Sequence, residues 1–261
     1  MRVLLAAKHP PGGKLPIGGV QTWCATVGAE LQKQGHRVTF WGPEWPLKGH
    51  FEAGILANLP YTRAAEAVCE RFVRISHGIV PDEAGGAGFA ATSEEVRDKW
   101  GCDGPVIRQP LDLKFWQPAE RSRTLLVRHS YRAGLDYLPK LAASLRLSYV
   151  HLRNECPEIV RDRLQRASVV IATGRAAVEA MACGAPVVIA DDRPYQGPLL
   201  DTDTLGAMAR NYSGRGGVVP TPEWMRDVIG VARERGSLRA HAEAHHDARE
   251  VTARILDCLR C

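Results

Sequence analysis

The sequence lacks any hydrophobic run near the ~20 residues that a membrane-spanning helix needs. Its apolar start, residues 1–7, contains one arginine and is followed at once by Lys8, His9 and three prolines within 10–16. Such a segment is too short for the apolar region of a secretory signal. Cysteine is sparse and odd in number, 7 in 261 residues, which excludes a small disulfide-stabilised scaffold. We therefore expect a cytoplasmic chain with reduced thiols.

Long runs of charge are also absent, because no five consecutive residues are lysine or arginine. The net charge is only +5, and charged and hydrophobic residues make up 24% and 45% of the chain. This composition excludes a mainly disordered chain and is ordinary for a globular protein. A mildly basic balance permits an anionic partner, such as a nucleotide, a nucleic acid or a lipid headgroup, without requiring one.

What is present first is a strand, a glycine-rich loop, a helix and a second strand. Residues 1–7 are apolar throughout, as in a buried parallel strand, and 8–19 are rich in glycine and proline. Apolar residues then recur at helical spacing over 20–34, Gly35 ends the helix, and 36–41 predict a second strand. The pattern predicts a βαβ unit in a parallel sheet.

A second alternation of strands and helices follows a charged, proline-containing linker at 113–122. Strands are predicted at 124–128, 148–152, 168–172 and 186–190, and helices at 135–145, 157–166 and 175–183. We also predict a strand over 105–108 and a single helix over 237–259. The fold class is thus α/β, with two doubly wound, Rossmann-like domains joined near residue 118 and a ligand site in the cleft between them.

The most informative local pattern lies at 169–189, where a strand ends at Thr173 and a helix follows Gly174. The free amides and positive dipole end of that helix favour an anion, and Arg175 adds a positive charge. Glu179, one turn further on, can accept hydrogen bonds from two ribose hydroxyls. The alternative is that Glu179 is a surface residue and Arg175 is simply its i,i+4 partner.

The segment 179–188, Glu-Ala-Met-Ala-Cys-Gly-Ala-Pro-Val-Val, closely resembles the donor-binding motif of glycosyltransferase family 4 enzymes, which have the GT-B fold. Further segments are similar to other parts of that family: 18–20, 35–39, 93–96, 106–118 and 134–138. The resemblance covers most of the chain. It implies an acceptor domain at 1–118, joined by the helix at about 240–261, and a nucleotide-sugar donor domain at 119–239.

The resemblance also implies roles for individual residues. The catalytic group comprises His77, which lines the sugar site, Arg128, which binds the diphosphate, and Glu179, which holds the ribose. The donor and phosphate-binding residues are Gly18, Gly19, Arg128, Arg132, Gly174, Arg175 and Glu179. Arg132 enters because it is adjacent to Ala133, where the family has a lysine.

Other interpretations of these residues stay open. Arg128 and Arg132 could be solvated loop residues, His77 a hydrogen-bonded structural residue, and Gly18 with Gly19 simply part of a turn. The sequence also departs from the family, because Ile171 stands where an earlier glutamate contacts the donor sugar.

The implied function is transfer of a sugar from a nucleotide-diphosphate donor to an unidentified acceptor, with retention of anomeric configuration. A glycan, a lipid-linked sugar, a small molecule and DNA are all candidate acceptors. The alternatives are a viral-type glycosyltransferase acting on DNA bases, a sugar epimerase of the same fold, and a catalytically idle nucleotide-sugar-binding partner subunit. No cofactor beyond the nucleotide-sugar co-substrate is expected.

No metal site is expected either. The pair Cys258 and Cys261 has no second pair, and a metal site needs about four ligands. A solvated helix face explains His241, His245 and His246, and a helix cap explains the Asp-Thr-Asp at 201–203.

Overall fold

The computed structural model describes residues 1–12, 19–57, 62–79, 81, 89–130, 134–190, 197–199, 204–214 and 221–260. The elements up to residue 110 are β1 (Arg2–Ala7), α1 (Gly19–Lys33), β2 (Arg37–Trp41), β3 (Ala53–Ala57), α2 (Thr62–Glu66), β4 (Phe72–Ser76), β5 (Ala90–Ala91) and α3 (Glu94–Trp100). Those that follow are β6 (Leu125–His129), α4 (Leu138–Ser144), β7 (Ser148–Leu152), α5 (Pro157–Gln165), β8 (Ala167–Ala172), α6 (Arg175–Ala182), β9 (Val187–Ile189), β10 (Gly197–Pro198), α7 (Thr204–Ala209), α8 (Pro222–Arg235), α9 (Arg239–His246) and α10 (Ala248–Cys258).

The chain divides into two compact units, the first formed by Met1–Pro110 with His246–Cys261 and the second by Leu111–His245. Each unit contains its own five-stranded sheet and its own hydrophobic clusters. The domain boundaries expected from the sequence, 1–118 and 119–239, stay predictions. None of the described helices is both long and apolar enough to cross a bilayer.

The sheet of the first unit is parallel throughout, in the order β2-β1-β3-β4-β5. Along β1, Val3, Leu5 and Ala7 face a cluster that includes buried residues of α1 and α10, while Leu4 and Ala6 face the opposite cluster. Both faces of the strand are therefore covered, which explains why the segment is apolar throughout. The βαβ unit predicted for the first 41 residues is confirmed.

The strand β3 is absent from the sequence-based prediction although it lies at the centre of this sheet. Its residues, Ala-Gly-Ile-Leu-Ala, include a single β-branched side chain and no alternation, so the local strand signal is weak. All five residues are buried between β1 and β4. Tertiary pairing, rather than local propensity, therefore determines this strand.

The second sheet has the order β10-β9-β8-β6-β7, with β6, β7, β8 and β9 parallel and the short β10 antiparallel to β9. Leu125 and Val127 of β6 face one hydrophobic cluster, whereas Leu126 faces another. The first cluster contains α5 and α6, and the second contains α4 and α8, so helices cover both faces of the sheet. Four strands predicted for this region are found as β6, β7, β8 and β9.

Two other predictions are wrong. Residues 105–108 do not form a regular strand, because only an isolated bridge joins Val106 to Ala91. The single helix predicted over 237–259 is two helices, α9 and α10, separated at Asp247. The side chain of Asp247 accepts a hydrogen bond from the backbone amide of Arg249 at 2.8 Å and so begins α10 anew.

Candidate functional site

The site predicted around Glu179 lies at the point where the strand order of the second sheet reverses. β6 is followed along the chain by β7 on one side, while β8 pairs with β6 on the other. His129 at the end of β6 lies in register with Ala172 at the end of β8. The connections that leave these two strands diverge, and in open α/β sheets the crevice at such a point is the usual ligand site.

Gly174 is the turn between β8 and α6. Its backbone, at φ 57° and ψ −136°, is in a region that side-chain-bearing residues rarely adopt. Its amide donates to the carbonyl of Tyr212 at 2.9 Å, which fixes the turn against the loop after α7. The N-cap residue of the helix that begins at Arg175 is Gly174, which has no side chain with which to cap it. The first amides of α6 therefore point beyond the carboxyl end of β8, where an anion would be favoured.

The carboxylate of Glu179 is buried and is held from two sides. Oε1 accepts a hydrogen bond from Nε of Arg175 at 2.9 Å, and Oε2 lies 3.0 Å from Nε2 of His129. Glu179 is only 7% exposed, so the interpretation of Glu179 as a surface residue is wrong. The i,i+4 pair with Arg175 does form, but as part of a cluster in which the buried Glu179 lies between the partly buried Arg175 and His129.

The electrostatics of this cluster keep Glu179 ionised. Burial alone would raise the pKa of the carboxyl, but the hydrogen bond from His129 and the charge of Arg175 outweigh it, and the pKa is lowered overall. An ionised carboxylate has about four lone-pair positions, of which the two contacts use two. The remaining positions can accept hydrogen bonds from a ligand that reaches the cluster.

His129 is the functional candidate that the sequence analysis missed. It precedes Glu179 by 50 positions, and nothing in the local sequence relates the two. The signal that could have found it is strand alternation, because residues 127 and 129 of β6 share the face on which α6 packs. A polar residue at the end of that face, beside the end of β8, is therefore expected to contact a side chain of α6.

Arg128 lies on the opposite face of β6 from His129 and Glu179. Its guanidinium donates a hydrogen bond to the carbonyl of Gly134. Burial raises the pKa of Tyr149, and the charge and hydrogen bond of Arg128 offset only part of that rise. Arg128 is 3% exposed, so the interpretation of this residue as a solvated loop residue is wrong. The structure thus brings Arg175, Glu179 and His129 together and leaves Arg128 outside that cluster. Its diphosphate-binding role stays a prediction.

His77 belongs to the first unit and follows the end of β4. Its ring packs edge-on against the ring of Trp23, with centroids 4.8 Å apart and an interplanar angle of 89°. Its carbonyl accepts a hydrogen bond from Oγ1 of Thr92 at 3.3 Å. Burial lowers the pKa of His77 from 6.5 to about 3, so the imidazole is neutral near pH 7. A neutral imidazole can still hydrogen-bond to a sugar, and this role also stays a prediction.

Gly19 is the first residue of α1, the helix that follows β1. A Cβ atom at Gly19 would meet no described atom within 4 Å. The predicted site residues Gly18 and Arg132, together with Asp201 and Asp203, lie outside the described residues.

The three histidines near the carboxyl end do not form a solvated face, contrary to the prediction. His246 is buried, and its Nδ1 lies 2.9 Å from the carbonyl oxygen of Gln109. Nε2 of His241 lies 2.8 Å from the hydroxyl of Tyr212, and its ring packs against that of His245. Within the described part of the chain, no group of three or more histidine, cysteine, aspartate or glutamate residues could hold a metal ion. The expectation that no metal is needed stays a prediction.

Comparison with known proteins gives a likeness in structure alone. No protein-family model matches the chain, and no curated protein matches it in sequence. Among solved structures, AviGT4, a glycosyltransferase involved in avilamycin A biosynthesis, is similar at 16% identity with a TM-score of 0.63, over 99% of this chain and 97% of that one.

Two other solved structures are similar over the same extent. Sucrose-phosphate synthase from Thermosynechococcus elongatus is 13% identical, with a TM-score of 0.59 over 99% of this chain and 98% of its own. MurG from Acinetobacter baumannii is 12% identical, with a TM-score of 0.52 over 98% of this chain and 100% of its own. At these identities the likeness shows the fold, and the chain has the α/β, GT-B fold with two Rossmann-like domains.

Proposed function

We propose that the protein is a glycosyltransferase, resembling family 4, that moves a sugar from a nucleotide-diphosphate donor to an acceptor with retention of configuration. The observation that carries the proposal is the likeness to a glycosyltransferase, AviGT4, over 99% of this chain and 97% of that one. Support also comes from the second unit, where a buried, ionised carboxylate lies at the reversal of strand order.

In the proposed reaction the bond between the anomeric carbon and the diphosphate oxygen breaks, and the acceptor hydroxyl oxygen forms a new bond to that carbon. The acceptor proton leaves with the nucleoside diphosphate or to solvent. Negative charge grows on the leaving diphosphate, and the amide end of α6 with Arg175 would stabilise it. Arg175 forms an ion pair with Glu179 at 2.9 Å, so the incoming diphosphate competes for a guanidinium that is already ordered.

The other predicted residues have subordinate roles under this proposal. Glu179 holds the ribose, Arg128 assists at the diphosphate, the backbone at Gly19 approaches the donor phosphates, and neutral His77 donates or accepts a hydrogen bond at the sugar. The proposed co-substrate is the nucleotide sugar, with no metal required, because α6 and arginine can offset the diphosphate charge.

A second candidate is a protein that binds a nucleotide sugar without turning it over. The observation that favours it is the position of Ile171, which is fully buried within β8 where the family has a glutamate at the donor sugar. No side chain from that position can reach a ligand. Sugar transfer or donor hydrolysis by the purified chain separates the two candidates.

The test is a binding screen with the diphosphates of uridine, guanosine, adenosine and cytidine, followed by a turnover assay with the matching nucleotide sugars. We expect one nucleotide to bind best and its sugar derivatives to be transferred or slowly hydrolysed. Binding of none of the four would overturn the proposal, and binding without turnover would favour the second candidate.

Variants extend this test to the site. Arg175→Ala should lower turnover by about 10²-fold or more, as loss of one preorganised charge donor does in other enzymes. The matched control is Glu243→Gln, which alters another i,i+4 arginine–glutamate pair of the same unit, Arg239–Glu243, on an exposed surface. Unchanged turnover in Arg175→Ala would show that Arg175 does not stabilise the leaving diphosphate.

A further inference from the structure

The carboxylate of Glu179 is oriented by two elements rather than by one. Arg175 belongs to the same helix as Glu179 and moves with it, whereas His129 belongs to β6. β6 lies between β7 and β8 and is buried on both faces, so it is among the most firmly held parts of the second unit. The contact of 3.0 Å between Nε2 of His129 and Oε2 of Glu179 therefore ties the carboxylate to the sheet.

We propose that His129 is a positioning residue that aims Glu179 at a vicinal diol and thereby makes the site select ribonucleoside over deoxyribonucleoside diphosphates. The inference rests on the proposed function, since it assumes that a nucleotide binds beside α6. It assigns His129 a role of its own and names the ligand feature that the cluster distinguishes.

Hydrogen-bond capacity supports this assignment. Each oxygen of Glu179 has one contact, to Arg175 or to His129, which leaves about one lone-pair position free on each oxygen. Two free acceptor positions on neighbouring oxygens match the two adjacent hydroxyls of a ribose, at the 2′ and 3′ carbons. A sugar without these hydroxyls would leave a buried, ionised carboxylate with unused acceptors, which is unfavourable.

Loss of His129 would change the aim of the carboxylate and remove one of the interactions that lower its pKa, while the charge of Arg175 stays beside it. With Oε2 released, the carboxylate is held only through the contact of Oε1 with Nε of Arg175 and can rotate about that contact. The positions left free would then point away from the ribose. Selectivity between ribose and dideoxyribose should fall, while the contacts to the diphosphate should remain.

The experiment compares dissociation constants of the best-bound diphosphate from the four-nucleotide screen with those of its 2′,3′-dideoxy counterpart. For the unaltered protein we expect the dideoxy compound to bind about 10- to 100-fold more weakly, as loss of charge-assisted hydrogen bonds predicts. His129→Leu should reduce this ratio to within about threefold of unity while leaving the affinity for the dideoxy compound nearly unchanged. His129→Gln should restore most of the ratio, because its amide nitrogen can donate to Oε2.

The matched control is His151→Leu. His151 lies on the adjacent strand β7, and its Nε2 contacts the carbonyl oxygen of Ser130 at 2.8 Å instead of Glu179. We expect this variant to keep the ratio of the unaltered protein. Thermal unfolding of each variant shows that it is folded at the temperature of the measurement.

The outcomes separate failure of the inference from failure of the proposed function. A ratio that is large in the unaltered protein, is abolished in Glu179→Gln and persists in His129→Leu would overturn the inference alone. Equal loss of affinity for both compounds in His129→Leu and His129→Gln would also overturn it, because that pattern reports a structural role. Absence of binding by all four diphosphates would overturn the proposed function itself.

Discussion

Two buried titratable side chains, Glu179 and His77, both have a lowered pKa, but for different physical reasons. Burial acts on both and favours their neutral forms, but Glu179 has Arg175 and His129 beside it and its pKa is lowered. For His77 burial dominates, and its pKa falls to about 3. Both shifts make the unfolded chain bind protons more readily than the folded one, so both residues destabilise the fold as pH falls.

The His77 shift predicts a pH dependence of stability in the first unit. Its contribution is fully present above its ordinary pKa of 6.5 and is lost as pH falls towards about 3. At about pH 5 the loss is ~2 kcal/mol, from 1.36 kcal/mol per unit. Thermal unfolding of the unaltered protein and of His77→Gln between pH 7 and pH 5 tests this. The two should converge as pH falls, and parallel curves would contradict the buried, neutral imidazole.

Gly174 predicts a contrast between two glycine substitutions in the second unit. An alanine at Gly174 has room, since the nearest described atom to its Cβ is a carbonyl oxygen at 3.9 Å, but it must adopt φ near 57° with ψ near −136°. We expect Gly174→Ala to lower the free energy of unfolding by about 1–3 kcal/mol. Gly230→Ala is the control within the exposed surface of α8 and should raise it by about 0.5–1 kcal/mol. Chemical denaturation measures both, and equal effects would contradict the assigned turn.

At the scale of elements, the sequence predicted those helices and strands whose signals are local. β8 and β9 are rich in valine and isoleucine, and α5 begins with proline. β3 was missed because its stability comes from pairing on both edges with β1 and β4. The strand predicted at 105–108 did not form for the converse reason. Its local signal is apolar, but its pairing with the neighbouring strand is limited to one bridge, between Val106 and Ala91.

The same distinction applies to the candidate site. Gly174, Arg175 and Glu179 could be predicted because they lie within six residues on one turn and helix. The contribution of His129 has no local signal, because it depends on β6 pairing with β8 and on a contact between residues 50 positions apart. The orientation of Arg128 depends in the same way on which face of β6 the residue occupies, and that requires the register of the sheet.

The break between α9 and α10 predicts the effect of one capping residue. Asp247 has a non-helical backbone, at φ −59° and ψ 123°, and its side chain accepts a hydrogen bond from the amide of Arg249. We expect Asp247→Ala to lower the free energy of unfolding by about 1 kcal/mol and Asp247→Ser to lower it much less, because serine also caps helices. Denaturation with hydrogen exchange over 247–252 measures both. A loss of the same size in the two variants would show that the cap is not the cause.

At the scale of the whole molecule, the chain enters the second unit after residue 110 and returns to the first at 246. α10 packs against α1, and Val251, Ile255 and Leu259 belong to the same hydrophobic cluster as β1 and β3. The bond between His246 and the carbonyl of Gln109 joins the two parts of the chain within the first unit. The first unit is therefore built from segments that are distant in sequence.

This organisation predicts which unit responds to changes in α10. We expect Ile255→Ala to lower the free energy of unfolding by about 2–5 kcal/mol, as in other buried cores. Hydrogen exchange should rise across 1–110 and much less across 111–245. The matched control, Arg254→Ala, alters an exposed neighbour on the same helix and should stay within about 0.5 kcal/mol. An equal rise in hydrogen exchange in both units of Ile255→Ala would contradict the assignment of α10 to the first unit.

The separation of α10 from the rest of its unit has a consequence for synthesis on the ribosome. The second unit is continuous in sequence and is synthesised in full before α10. The first unit begins earlier yet finishes later, since residues 1–110 wait on the order of 10 seconds for the helix that covers their apolar surface. During that interval the apolar surface that Val251 and Ile255 cover in the finished protein stays exposed on the nascent chain.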